Sequence, residues 1–135
     1  RAGNVTITGN RIRGAAFSAV RANGAANVAV TGNSCASLGE VAVYIEFGFE
    51  GAVVANNIID GAALGIVATN FNHGGRLANI HGNIIRNLVN RRPAGTDPHD
   101  VAGVGISAEA DAAISSNVIE GAPTAGIQLG WGQYM

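Results

Sequence analysis

The chain has 135 residues, enough for one domain with a real core, and a formal net charge of −1. That balance excludes a global attraction to nucleic acid or to an anionic membrane surface. Only 13% of residues are charged and 5% aromatic, while 20 are Gly, so the core must stack small aliphatic side chains closely.

A single cysteine, Cys35, rules out an intramolecular disulfide. No apolar run approaches the roughly 18 residues of a membrane span. Arg1 opens directly into strand-like sequence, so any export signal is expected to lie outside these residues.

In chain order, five segments align without gaps: "VTITGNRIRG", "VAVTGNSCAS", "AVVANNIIDG", "ANIHGNIIRN" and "AAISSNVIEG". They share Asn10, Asn33, Asn57, Asn83 and Asn117, which lie 23, 24, 26 and 34 residues apart. Three residues before each Asn stands Ile7, Val30, Val54, Ile80 or Ile114, and two after it Ile12, Cys35, Ile59, Ile85 or Ile119. Period-two alternation puts these columns on one strand face, turned inward. Cys35 then replaces Ile in a buried column and acts as a small hydrophobe.

After each corner a further strand is expected at "EVAVYIEF" (40–47), "LGIVATNF" (64–71), "VGISAEAD" (104–111) and "AGIQLGW" (125–131). Its inward pairs are Val43/Ile45, Ile66/Ala68, Ile106/Ala108 and Ile127/Leu129. The matching stretch of the first coil, "AFSAVRA", leaves its register open. Short, β-branched units punctuated by Gly and Asn, with no 3.6-residue period, argue against helices.

The pattern therefore predicts an all-β fold, a right-handed parallel β-helix (solenoid) of about five coils with one stacked Asn per coil. Asn tolerates the left-handed backbone of a tight corner, and its amide can bond the Asn of adjacent coils. Outward, Asp60, Arg86 and Glu120 share a column and form a charge ladder. Residues 1–135 read as one β-helix domain, expected to be a fragment of a longer solenoid, with a long loop insertion at 86–103. Uncapped coil ends would invite self-association.

These repeats resemble those of pectate lyases, polygalacturonases and alginate epimerases. "EADAAISSNVIEGAPTAGIQLGWGQY" (109–134) is similar to a family of twin-arginine-translocated β-helix repeat proteins. The resemblance implies export, hence a periplasmic or extracellular location. In such β-helices the later strand forms a groove floor, which here would present Tyr44, Val67, Ser107 and Gln128, with Glu46, Thr69, Glu109 and Gly130 in the next row.

Three sets of residues carry candidate chemistry. Glu46 and Glu109 stand two coils apart, about 9.6 Å at the usual strand spacing, near the carboxylate separation of inverting glycosidases. The insertion holds Arg91, Arg92, Asp97, His99 and Asp100. Arg pairs suit bidentate binding of uronate carboxylates, and His suits proton transfer near neutral pH. "DPHD" (97–100) also resembles the catalytic motif of mannuronan C5-epimerases, although here it follows "PAGT" within a loop. Tyr44, Gln128 and Trp131 are carbohydrate-binding candidates.

No two histidines have metal-ligand spacing, and no Gly-rich phosphate loop opens a helix, so neither metal nor cofactor is expected. The resulting expectation is an exported β-helix protein that interacts with polysaccharide. One alternative is a lyase, C5-epimerase or glycoside hydrolase acting on uronate polymers; another is a purely structural scaffold.

Overall fold

A computed structural model describes residues 2–70, 74–91, 93–96 and 101–130. The first coil consists of β1 (Gly3–Thr8), β2 (Arg11–Arg13) and β3 (Val20–Asn23). The second is β4 (Ala26–Thr31), β5 (Ser34–Ala36) and β6 (Val41–Glu46), and the third β7 (Glu50–Ala55), β8 (Ile58–Asp60) and β9 (Leu64–Thr69). The fourth is β10 (Arg76–His81), β11 (Ile84–Arg86) and β12 (Val104–Glu109), and the fifth β13 (Asp111–Ser115), β14 (Val118–Glu120) and β15 (Ala125–Leu129). Every third strand pairs in parallel, giving three five-stranded sheets that wrap one core.

The predicted columns stack residue on residue. Ile7, Val30, Val54, Ile80 and Ile114 are consecutive partners in the first sheet. Ile12, Cys35, Ile59, Ile85 and Ile119 are consecutive partners in the second. In the middle coils these side chains are sealed from solvent, as are Val43, Ile45, Ile66 and Ile106 of the third sheet. Each such burial contributes about 1.5–3 kcal/mol. Desolvation pushes the Cys35 thiol up, away from the reactive thiolate.

The asparagines form a continuous ladder. Asn33 Nδ2 donates to Asn57 Oδ1 at 3.0 Å and to the Ile7 carbonyl at 2.9 Å. Its own Oδ1 accepts the backbone N–H and the Nδ2 of Asn10, both at 3.0 Å. The pattern repeats through Asn57, Asn83 and Asn117.

The expected left-handed corner is corrected by one residue. No ladder Asn has positive φ; the residue before it does, at Gly9, Gly32, Asn56, Gly82 and Ser116. The ladder Asn must aim both its N–H and its amide along the stack, so the turn falls on its neighbour. Gly takes that conformation without the roughly 1–2 kcal/mol that a Cβ incurs. A second left-handed column, Gly14, Ser37, Gly61, Asn87 and Gly121, closes the next corner.

The third sheet departs from strict alternation. Val41 pairs with Leu64 and Val43 with Ile66, and Ala42 between them belongs to the main core. A Cβ on Gly65 would meet Ile85 Cγ2 at 2.8 Å, and one on Gly105 would meet Ile119 Cγ2 at the same distance. A row of Ala42, Gly65 and Gly105 thus faces inward and lets the second and third sheets approach. Val41, Leu64 and Val104 turn outward instead, into a separate apolar cluster.

The Asp60–Arg86 rung of the outward charge ladder is present. Arg86 Nη2 and Nε donate to Asp60 Oδ2 at 2.9 and 3.1 Å, and Asn87 Nδ2 donates to Oδ1 at 2.7 Å. Asn87 and then Arg86 hold the exposed Asp60 carboxyl below its usual value.

Candidate functional site

The outer face of the third sheet carries the two predicted rows. Tyr44, Val67, Ser107 and Gln128 are successive partners, as are Glu46, Thr69 and Glu109. The first coil, whose register the sequence left open, adds Arg21 beside Tyr44 and Asn23 beside Glu46. Arg21 was therefore missed as a site residue. Matching "VRAN" to "VYIE" is the signal that would have found it.

Arg21 organises the early end of this face. Its Nε donates to Glu46 Oε1 at 2.6 Å and its Nη2 to Oε2 at 3.1 Å. The guanidinium lies over the Tyr44 ring, 5.0 Å from its centroid. The Glu46 side chain is only 1% exposed, so this bidentate pair compensates a buried charge. The Glu46 hydrogen bonds raise the guanidinium's proton affinity further. Both Glu46 oxygens are engaged.

Glu109 has a different environment. Thr69, fully buried between the two glutamates, donates its hydroxyl to Glu109 Oε2 at 2.9 Å. Glu109 is half-buried, and loss of solvent raises its carboxyl's pKa against the smaller lowering effect of the Thr69 bond. A carboxyl raised in the fold binds its proton more tightly there than in the unfolded chain, so it favours folding most in acid. Wild type should lose stability relative to Glu109→Gln as pH rises from the usual carboxylate value of 4.5 through the folded value. Paired urea melts near pH 4 and pH 8 measure this; an unchanged difference would contradict it.

The face is not an open groove along its length. Val41, Leu64, Val67 and Val104 are buried with Ala102 in the second apolar cluster, against which Val101 and Tyr44 pack. Val101 and Ala102 are the returning end of the insertion, so this loop roofs part of the predicted floor. Leu88 enters the main core at its outgoing end, and the Pro93 ring lies against Gly39. Thr96 closes a turn onto the Pro93 carbonyl through its N–H and its hydroxyl. The return is tied down by the Gly103 N–H, which donates to the Ala63 carbonyl at 2.6 Å. Polar loop sequence alone gave no sign of this packing.

Arg91 is exposed in the insertion. Arg92, Asp97, His99, Asp100 and Trp131 lie outside the described residues. Among the described residues no three His, Cys, Asp or Glu side chains group as metal ligands, and no helix is long and apolar enough to cross a membrane.

Three parallel sheets, a stacked-Asn corner and five coils define a parallel β-helix. A family model for the right-handed β-helix region matches residues 1–134, and the chain belongs to that family. No curated protein and no solved structure matches it.

Proposed function

We propose that this is an exported β-helix protein, periplasmic or extracellular, that binds carbohydrate on the outer face of its third sheet. One observation carries the reading. A half-buried tyrosine ring, Tyr44, is held by Arg21 on a rigid sheet whose outer face also carries the half-buried Glu109 carboxyl and Gln128 amide. Sugars present C–H faces to aromatic rings and hydroxyls to carboxylates and amides, so such a surface suits them. The resemblance to twin-arginine-translocated repeat proteins supports export.

Screening the protein on a glycan array tests the binding. A retained glycan should lose at least about tenfold in affinity with Tyr44→Ala, since truncating a hot-spot aromatic contact costs about 2 kcal/mol or more. Unchanged circular dichroism would show that the fold survives. Absence of binding across the array would count against the carbohydrate-binding reading and favour a structural scaffold. Fractionation of the source cells tests the location.

One observation favours a second reading, catalysis on uronate polymers by lyase, epimerase or hydrolase chemistry. Glu109 is a carboxyl whose pKa is raised by burial, the condition of a general acid. Turnover of alginate or pectate that disappears in Glu109→Gln or His99→Ala would establish it.

A further inference from the structure

Two groups at the later end of the third sheet's outer face have hydrogen-bonding capacity left over. Ser107 is only 8% exposed and points outward between Val67 and Gln128, yet no described residue bonds its hydroxyl. Buried hydroxyls are ordinarily satisfied, so this one is a marked exception. Glu109 stands two residues further along the strand on the same face, about 6.6 Å away along the backbone. Thr69 occupies its Oε2, and among the described residues nothing bonds Oε1.

The surroundings leave this corner approachable. Gln128 and Glu109 are half-buried rather than sealed. The next residue in the Glu109 row is Gly130, whose N–H bonds the Ala108 carbonyl and which has no side chain to cover the carboxyl. Thr69 meanwhile fixes the carboxyl's orientation. A hydroxyl, a fixed carboxyl oxygen and a primary amide therefore share this part of the outer face.

Charge decides what can enter. Arg21 is bound bidentately by Glu46 and stands three coils from Glu109, roughly 14 Å at the usual strand spacing. Arg86 is engaged by Asp60 on the second sheet and Arg76 by Glu50 on the first. Arg21 is the one cation on the described strands of the third sheet, so an incoming carboxylate would meet the Glu109 carboxylate with no strand cation beside it.

The geometry points to a subsite for the vicinal hydroxyls of a neutral sugar, formed by Ser107, Glu109 and Gln128 with Thr69 as the positioning residue. One ligand hydroxyl donates to Glu109 Oε1, and its neighbour bonds Ser107 and the Gln128 amide. This inference rests on the reading of the outer face as a glycan surface, and it assigns the glycan class as neutral rather than uronate.

Affinity electrophoresis in gels containing β-glucan, galactomannan or xyloglucan, against gels containing polygalacturonate or alginate, tests it. Retardation is expected in at least one neutral gel and in neither acidic gel. Glu109→Gln and Ser107→Ala should each weaken that retardation at least fivefold, while Glu50→Gln on the first sheet leaves it unchanged. Glu109→Gln keeps side-chain size and Ser107→Ala removes a single oxygen, and thermal melts identify any variant that fails to fold; a loss of binding by folded variants is the supporting result. Binding of the acidic polymers alone, or neutral binding indifferent to both substitutions, would overturn the subsite but leave the carbohydrate reading standing. No retardation in any gel would overturn both.

Discussion

Asn57→Ala and Asn83→Ala are expected to lower the melting temperature by about 10 °C or more, whereas Asn23→Ala and Asn90→Ala should shift it by about a degree. Asn57 is 1% exposed and its amide serves four bonds at once. It accepts from the Asn33 N–H and Nδ2, and donates to Asn83 Oδ1 and the Val30 carbonyl. Truncation leaves those four groups short of a partner in a dry interior, at about 1–3 kcal/mol for each group that water cannot reach. A water entering the vacated space would recover part of the loss, so about 3–5 kcal/mol is the expected total. Asn23 and Asn90 are exposed, and water replaces whatever they contribute. Four equal melting temperatures would show that the ladder is incidental.

The second large effect is expected at the inward row of the third sheet. Gly65→Ala and Gly105→Ala should each destabilise by about 1–3 kcal/mol or more, the usual result of forcing a methyl group into a filled core. The new carbon would crowd Ile85 in the first case and Ile119 in the second, and in both the carbonyl of the next coil's glycine. A flexible side-chain tip could yield; a sheet carbonyl and a branched Ile near its backbone cannot. Gly126→Ala supplies the internal control. It is the next residue of the same row, nothing lies within 4 Å of the added carbon, and its stability should stay near wild type. Chemical denaturation of the three variants separates crowding from loss of glycine's backbone freedom, which would affect all three alike.

The repeats make the coils legible in the sequence because two signals agree. A side-chain period of two fixes which residues face inward, and an Asn at a fixed offset marks where each coil turns. Where those signals weaken, so does the reading. In "AFSAVRA" small residues occupy both alternations, and only pairing with β6 shows that Val20 and Ala22 face inward and Arg21 outward. The Ala42, Gly65, Gly105 row is hidden for a related reason: it breaks strict alternation, and a glycine has no side chain to reveal its direction. Glu46 and Glu109 were correctly placed two coils apart, but their environments depend on neighbours supplied by other coils. The roof made by Val101 and Ala102 belongs to a segment with no repeat, so no periodicity announced it.

The three corners of each coil differ in how freely they accept length. Between the first and second sheets the turn is always two residues, ending in the ladder Asn, and an added residue there would break the amide chain. Between the second and third sheets the connection runs from Asp60 to Leu64 in one coil and from Arg86 to Val104 in the next, with the strand pairing on either side undisturbed. Closing a longer loop costs little, about 0.6 kcal/mol for each doubling of length. The molecule thus behaves as a rack with one locked upright and adjustable brackets. A foreign peptide inserted between Pro93 and Thr96 should be carried at the surface without retuning the shelf beneath it, whereas the same peptide after Gly32 should prevent assembly of the stack.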